Sequence, residues 1–198
     1  MLLPKSRGTP PVFPVVCIGG SAGSLIAYID ILREMPAKSG VAIVIVSHRG
    51  PDESSRLITL LARATRMEVV EITDGMLLEP GRVFVAPPQR EITTDGLALR
   101  ISEDPTSGYG WPTLIGDFLF SLARKCSSRA IVIIASGMGY DGAGALAAVK
   151  QAGGWTFAQS DASYSSMPQA AIDTKHVDFV LRADEIGRYL ASLSAHLR

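Results

Sequence analysis

The chain has 198 residues, 47% hydrophobic and 19% charged, which suits one α/β domain with a substantial core and is short for two. Lys plus Arg and Asp plus Glu both number 19, so no net field steers the chain toward nucleic acid or an anionic membrane. The two cysteines lack a Cys-x-x-Cys pair or histidines at ligand spacing, which excludes a disulfide framework and reads as reduced thiols in a cytoplasmic protein.

In chain order, Met1–Pro14 carries basic residues and four prolines but no apolar stretch, so it reads as a loosely ordered lead-in over 1–13 rather than a signal or an anchor. A single domain is expected over 14–198. The β-rich run Val15–Ile18 stops at Gly19-Gly20. A helix is predicted from about Gly23 to Met35, with Leu25, Ile26, Ile29 and Leu32 on one face and Pro36 closing it. Val41–Val46 is apolar on both faces, as a strand buried in a parallel sheet must be. A helix follows over about Glu53–Thr65 after the Pro51-Asp52 start signal.

The middle of the chain has a different rhythm. Met67–Ile72, Arg82–Ala86, Arg90–Thr94 and Leu97–Ile101 are short strand candidates separated by turn pairs. Thr93-Thr94-Asp95-Gly96-Leu97 is a hairpin signal, so an antiparallel ribbon is expected there. A Gly- and Ser-rich loop over Thr106–Pro112 leads to a helix over Thr113–Lys125. Then come a strand at Ala130–Ala135, a helix at Gly142–Ala152 and a strand at Trp155–Gln159, with Trp155 expected in the core. A helix at about Pro168–Thr174, a strand at Phe179–Leu181 and a helix over about Asp184–Leu193 close the chain. Strands alternating with helices imply a mainly parallel sheet covered on both faces. No apolar run is long enough to span a bilayer.

In such sheets the working residues lie just beyond the carboxyl ends of the strands. Three such ends carry chemistry: Gly19-Gly20-Ser21-Ala22-Gly23, Ser47-His48-Arg49, and Ser136-Gly137-Met138-Gly139-Tyr140-Asp141-Gly142. The first fits G-x-S-x-G, a tight strand-to-helix turn that projects a serine hydroxyl, although similar turns cradle phosphates. His48 is the one histidine of three that follows a long buried strand; it could take the Ser21 proton, or it could be a structural residue bonded to a loop carbonyl. Asp141 could accept the Nδ1 proton of His48 and fix its tautomer, or cap the helix that follows it. The surrounding glycines allow close backbone approach, so amides near Ala22 and Met138 are candidates for an oxyanion hole. No paired-histidine or Cys/His metal spacing, no phosphate-binding G-x-x-x-x-G-K-[ST] loop and no cofactor fingerprint are present. Tyr109, Trp111, Arg49 and Arg56 are candidate substrate contacts; solvated surface roles fit them equally.

The turn at Ile18–Gly23, the strand ending at Ser47-His48, and the Asp74-Gly75…Pro80-Gly81…Val85-Ala86-Pro87 stretch resemble the catalytic domain of the CheB-type chemotaxis methylesterases. So do the Ser136–Ala143 loop, the Gln151–Gln159 run and Ser166-Met167-Pro168-Gln169-Ala170-Ala171, in order over about 14–194. The resemblance implies a doubly wound sheet with an antiparallel ribbon and a cofactor-free serine esterase. Its substrate would be the glutamate γ-methyl esters on the cytoplasmic helices of methyl-accepting chemoreceptors, with methanol released, and glutamine deamidation is found in many relatives. By position Ser21 matches the nucleophile, His48 the base and Asp141 the orienting acid, while Met138 supplies an oxyanion amide. Departures are Ala22 for the usual threonine, Arg49 for the common methionine, and a Gly108–Thr113 loop without basic residues. No receiver domain is expected with it, so any phosphorylation switch would belong to a separate protein. Two other readings remain: a catalytically silent binding or regulatory module of a chemosensory complex, and a nucleotide or phosphate binder using the Gly19–Ser24 turn.

Overall fold

The computed structural model describes residues 11–50, 54–102 and 113–195, with the side chains of Ser54 and Ser55 left out. The candidates Tyr109 and Trp111, and the Gly108–Pro112 part of their loop, lie outside the described residues.

Strands β1 (Val15–Gly20), β2 (Ala42–Ser47), β3 (Glu68–Glu71), β4 (Arg82–Val85), β7 (Ala130–Ile134), β8 (Trp155–Gln159) and β9 (Phe179–Leu181) form one sheet in the order β3-β4-β2-β1-β7-β8-β9. Every pairing in it is parallel. Strands β5 (Ile92–Asp95) and β6 (Ala98–Ile101) form the separate antiparallel ribbon that the hairpin signal predicts. The two earlier strand candidates of the middle region, β3 and β4, belong to the main sheet. The fold is a doubly wound α/β domain with a ribbon.

Alternation along the central strands explains their uniform apolarity. Val15 and Cys17 of β1, Ala42, Val44 and Val46 of β2, and Val132 and Ile134 of β7 enter one core layer. Val16, Ile18, Ile43, Ile45, Ile131 and Ile133, the intervening residues, enter the other. Successive side chains of a strand point to opposite faces, so a strand covered on both sides must be apolar at every position. Helices α1 (Ser24–Arg33), α2 (Ser54–Ala64) and α6 (Ala183–Ala195) cover the second layer. Helices α3 (Leu114–Cys126), α4 (Leu146–Gln151) and α5 (Ser166–Asp173) cover the first.

Two expectations about packing fail. The buried face of α1 is Ser24, Ala27, Tyr28, Ile31 and Leu32, while Ile26 is 63% exposed and Leu25 and Ile29 are half-buried. The two stripes differ by about one position, and the Tyr28 ring, fully inside, outweighs the exposed isoleucine. Trp155 is 44% exposed, not core. It opens β8 beside the three-residue edge strand β9, stacks on Phe179 at 5.5 Å and lies under the Lys150 ammonium, so its ring covers the sheet edge from outside.

The chain runs outward from β1 through β2 to the β3 edge, then returns to place β7 on the other side of β1. The strand order therefore reverses at β1. A crevice opens at such a reversal, outside the carboxyl ends of the strands.

Candidate active site

Ser21 directly follows β1, His48 directly follows β2, and Asp141 sits in the segment after β7. The β1–β2 register pairs Gly20 with Ser47, and the His48 amide donates to the Gly20 carbonyl at 3.3 Å. Sheet geometry thus sets Ser21 and His48 on neighbouring strand ends. Their side chains are not hydrogen-bonded to each other in this structure.

His48 is held from its far side. Its Nε2 lies 2.7 Å from Asp141 Oδ2, with the two side chains 18% and 8% exposed. The sequence-based expectation that Nδ1 would face the aspartate is therefore incorrect. Nε2 carries the proton toward the carboxylate, which leaves Nδ1 as the ring nitrogen available on the other side. Asp141 also accepts the backbone N–H of Ile115 on Oδ2 and of Gly116 on Oδ1, both at 2.9 Å. These are first-turn amides of α3, which an α-helix cannot satisfy internally. Asp141 is a cap after all, but of a helix 25 residues upstream in sequence rather than of the one that follows it. Three donors fix the carboxylate's orientation, and the carboxylate fixes the ring.

The turn that carries Ser21 is locked as firmly. Gly23 has φ +73°, a left-handed conformation natural to glycine, and lets the chain swing from β1 into α1. The Ser21 amide donates to the Ser136 carbonyl at 2.9 Å, and the wholly buried Ser136 hydroxyl donates to the Ala22 carbonyl at 2.9 Å. That hydroxyl also accepts the Tyr164 amide at 3.0 Å, while the Ser136 amide donates to Gln159 Oε1 at 2.8 Å. Gln159 in turn donates to Asp161, whose carboxylate accepts the Ala183 amide at the start of α6. Ser136 is the hub of the rim.

Two peptide groups next to the serine are held through their carbonyls. The Ser21 carbonyl accepts the Ser24 amide at 3.1 Å and the Ser24 hydroxyl at 2.6 Å. The Gly137 carbonyl accepts the Met167 amide at 3.0 Å and the Ser166 hydroxyl at 3.2 Å. No cis peptide bond occurs among the described residues, and in a planar trans peptide the N–H points opposite the C=O. Tying these carbonyls therefore aims the Ala22 and Met138 N–H groups, the two amides the sequence suggested. A Cβ at Gly137 would lie 2.8 Å from Met167 Sδ and 3.1 Å from Ser21 Cβ, so both neighbours would have to shift to admit one. The Met138 side chain is 56% exposed.

Arg49, half-buried, donates to the Ala86 carbonyl and lines a cavity with Ser47 and Arg56. Sequence reasoning missed the structural parts of Ser136, Gln159, Tyr164, Ile115 and Gly116. Ser136 and Gln159 did carry a signal, as polar residues at the carboxyl ends of buried strands. The α3 amides carried none, since a backbone N–H has no sequence signature.

A family model described as CheB methylesterase matches residues 16–190. The chain belongs to this family. Among similar CheB proteins, "Protein-glutamate methylesterase/protein-glutamine glutaminase 2" of Anaeromyxobacter dehalogenans (strain 2CP-C) is 35% identical over 182 residues, 91% of this chain and 53% of that one. "Protein-glutamate methylesterase/protein-glutamine glutaminase" of Escherichia coli (strain K12) is 32% identical over 189 residues, again 91% of this chain and 53% of the other. The chain thus spans about half the length of the curated relatives it matches. The crystal structure of the Thermotoga maritima CheB methylesterase catalytic domain superimposes with a TM-score of 0.85 at 26% identity, covering 92% of this chain and all of that one. Among the described residues, no helix of this CheB domain is long and apolar enough to cross a membrane.

Proposed function

We propose that the chain is a cytoplasmic serine esterase that hydrolyses glutamate γ-methyl esters on chemoreceptor helices and releases methanol, with Ser21, His48 and Asp141 as its triad. Residues 14–198 act as one catalytic domain in this reading. The observation that carries it is the 2.7 Å His48–Asp141 contact at the rim where Ser21 leaves β1. A binding module has no use for an imidazole oriented in this way.

In the proposed mechanism His48 Nδ1 takes the Ser21 hydroxyl proton as the oxygen attacks the ester carbonyl. The developing oxyanion is received by the Ala22 and Met138 amides, whose carbonyl tethers hold them in place before the reaction. Collapse expels methanol, protonated by His48, and leaves a γ-glutamyl ester on Ser21. Water, deprotonated by the same imidazole, then releases the γ-carboxylate. Ammonia in place of methanol makes the same sequence a glutamine deamidation. Asp141 keeps the proton on Nε2 and stabilises the imidazolium formed at each step. Hydrogen bonds between a hydroxyl and its general base are often long before substrate binds and tighten in the complex, which accommodates the missing Ser21–His48 bond.

Reaction with a fluorophosphonate probe, together with methanol release from a γ-methyl-glutamyl receptor peptide, tests the reading. Both activities are expected in the wild type and neither in Ser21→Ala. A folded wild type that does neither would leave the chain as a silent CheB-type binding module.

A further inference from the structure

The loops after β7 and β8 flank the Ser21 turn and carry three exposed large side chains: Met138 at 56%, Tyr140 at 68% and Tyr164 at 47%. Apolar residues scattered singly on a surface are ordinary, whereas several gathered at one edge mark a contact surface. The two loops are joined, since the Gly137 amide donates to the Tyr164 carbonyl at 2.9 Å.

Tyr164 stands nearest to Ser21 by contact. Its amide donates to the Ser136 hydroxyl at 3.0 Å, and with its carbonyl also engaged, what it offers a partner is its ring. That ring leans on Gly23: a Cβ there would lie 2.9 Å from Tyr164 Cδ2, an approach that the bare glycine admits. Gly23 follows Ser21 by two residues, so their Cα atoms are at most about 7 Å apart. The ring is thus held beside Ser21 before any partner arrives, and a stiff aromatic loses little entropy on contact.

Charge narrows the partner. Segments 135–149 and 156–168, which supply the two loops, contain no Lys or Arg. Their two acids are engaged, Asp141 with His48 and the α3 amides, Asp161 with Gln159 and the Ala183 amide. A charged side chain laid against these loops would give up water without gaining a partner, whereas an apolar one gains by leaving water. On a helix, side chains three or four residues apart lie about 5–6 Å from each other, within the Ser21-to-Gly23 span. Resting on the esterase reading above, we infer that the Tyr164 ring sets specificity by receiving an apolar residue of the substrate helix one turn from the esterified glutamate.

Three sets of helical peptides test this, each with one γ-methyl glutamate and a single Leu, Gln or Glu three or four residues to either side, with methanol release as the readout. The wild type is expected to favour Leu over Gln at one of these positions by about tenfold in kcat/KM, what partial burial of one leucine against a ring supplies. That ratio should not shrink as salt rises, because no charge carries it. Tyr164→Ala should abolish the preference by raising KM for the Leu peptide, with a much smaller change in kcat, while Tyr164→Phe keeps it. In Tyr164→Lys the preference should pass to the Glu peptide. Equal rates for Leu and Gln at every position, or a Leu preference that survives both Tyr164→Ala and Tyr164→Lys, would overturn the inference. A loss in Tyr164→Ala that falls on kcat and equally on all peptides would also overturn it, leaving the ring as a brace for the Ser21 turn. The Gln peptide separates the two levels. If its hydrolysis depends on Ser21 but Leu brings no gain, only the Tyr164 assignment fails; if no peptide is hydrolysed, the esterase reading fails as well.

Discussion

At Asp141 one carboxylate serves two structures, since its oxygens receive His48 Nε2 and two α3 amides. Asparagine has one carbonyl oxygen and an amide that only donates, so Asp141→Asn leaves at least one of the three donors facing another donor. A buried unsatisfied group costs about 1–3 kcal/mol. Asp141→Asn should therefore lower the urea midpoint as well as kcat, whereas Ser21→Ala should lower activity with little change in the midpoint. Ser136→Ala has a different signature: it removes one hydroxyl that joins the Ala22 carbonyl to the Tyr164 amide. We expect kcat to fall with KM little changed, because the Ser21 turn is displaced while the substrate surface stays. Gly137→Ala presses on the end of the Met167 side chain and asks Ser21 to give by a few tenths of an ångström, so kcat should fall with KM little changed. The cysteines lie outside this chemistry. Burial, reinforced by the Asp141 charge, pushes the Cys17 thiol far up, and burial pushes Cys126 up to about 12, despite the nearby Arg129. Neither should react with a disulfide reagent at pH 8 until denaturant is added.

Among the elements, those read most accurately from sequence were the ones whose signal is local. β1, β2, β7, β8 and β9 fall where apolar runs meet Gly or polar stops, and the β5–β6 ribbon follows its Asp95-Gly96 turn. Helix existence was equally legible. The buried face of α1 was not, because stripes displaced by about one position are both apolar there and only the docking of Tyr28 decides between them. Likewise β3 and β4 were legible as strands, but not that they pair in parallel with each other and, through β4, with β2 of the main sheet. A strand's run of residues does not record which neighbour it meets. Helix α3 illustrates the same limit from the functional side. Its own Thr113 bonds Asp117 rather than the helix amides, so its N-terminus waits on Asp141 from across the sheet edge.

At the level of the whole molecule, an ion-paired lock at the β8–β9 side of the sheet sets a pH dependence. Burial alone would raise the Asp178 carboxyl; Lys150 at 2.6 Å and the amide and hydroxyl of Thr156 outweigh it and hold the group below its ordinary 3.8. A depressed folded-state value means that the stabilisation is complete above 3.8 and is lost as pH falls through the lower folded value. Asp178→Asn should therefore lower the urea midpoint at pH 7, and its gap from the wild type should close below pH 3.8.

Composition, strand and helix periodicity, and the placing of Ser21, His48 and Asp141 after buried strands belong to the sequence alone, because each is a property of consecutive residues or of one strand end. Tertiary structure decided which imidazole nitrogen meets Asp141, that Asp141 also receives the α3 amides, and that Ser136 holds the Ala22 carbonyl. Those facts join segments 25 to more than 100 residues apart, and only the strand order that brings β2, β1 and β7 side by side makes them neighbours.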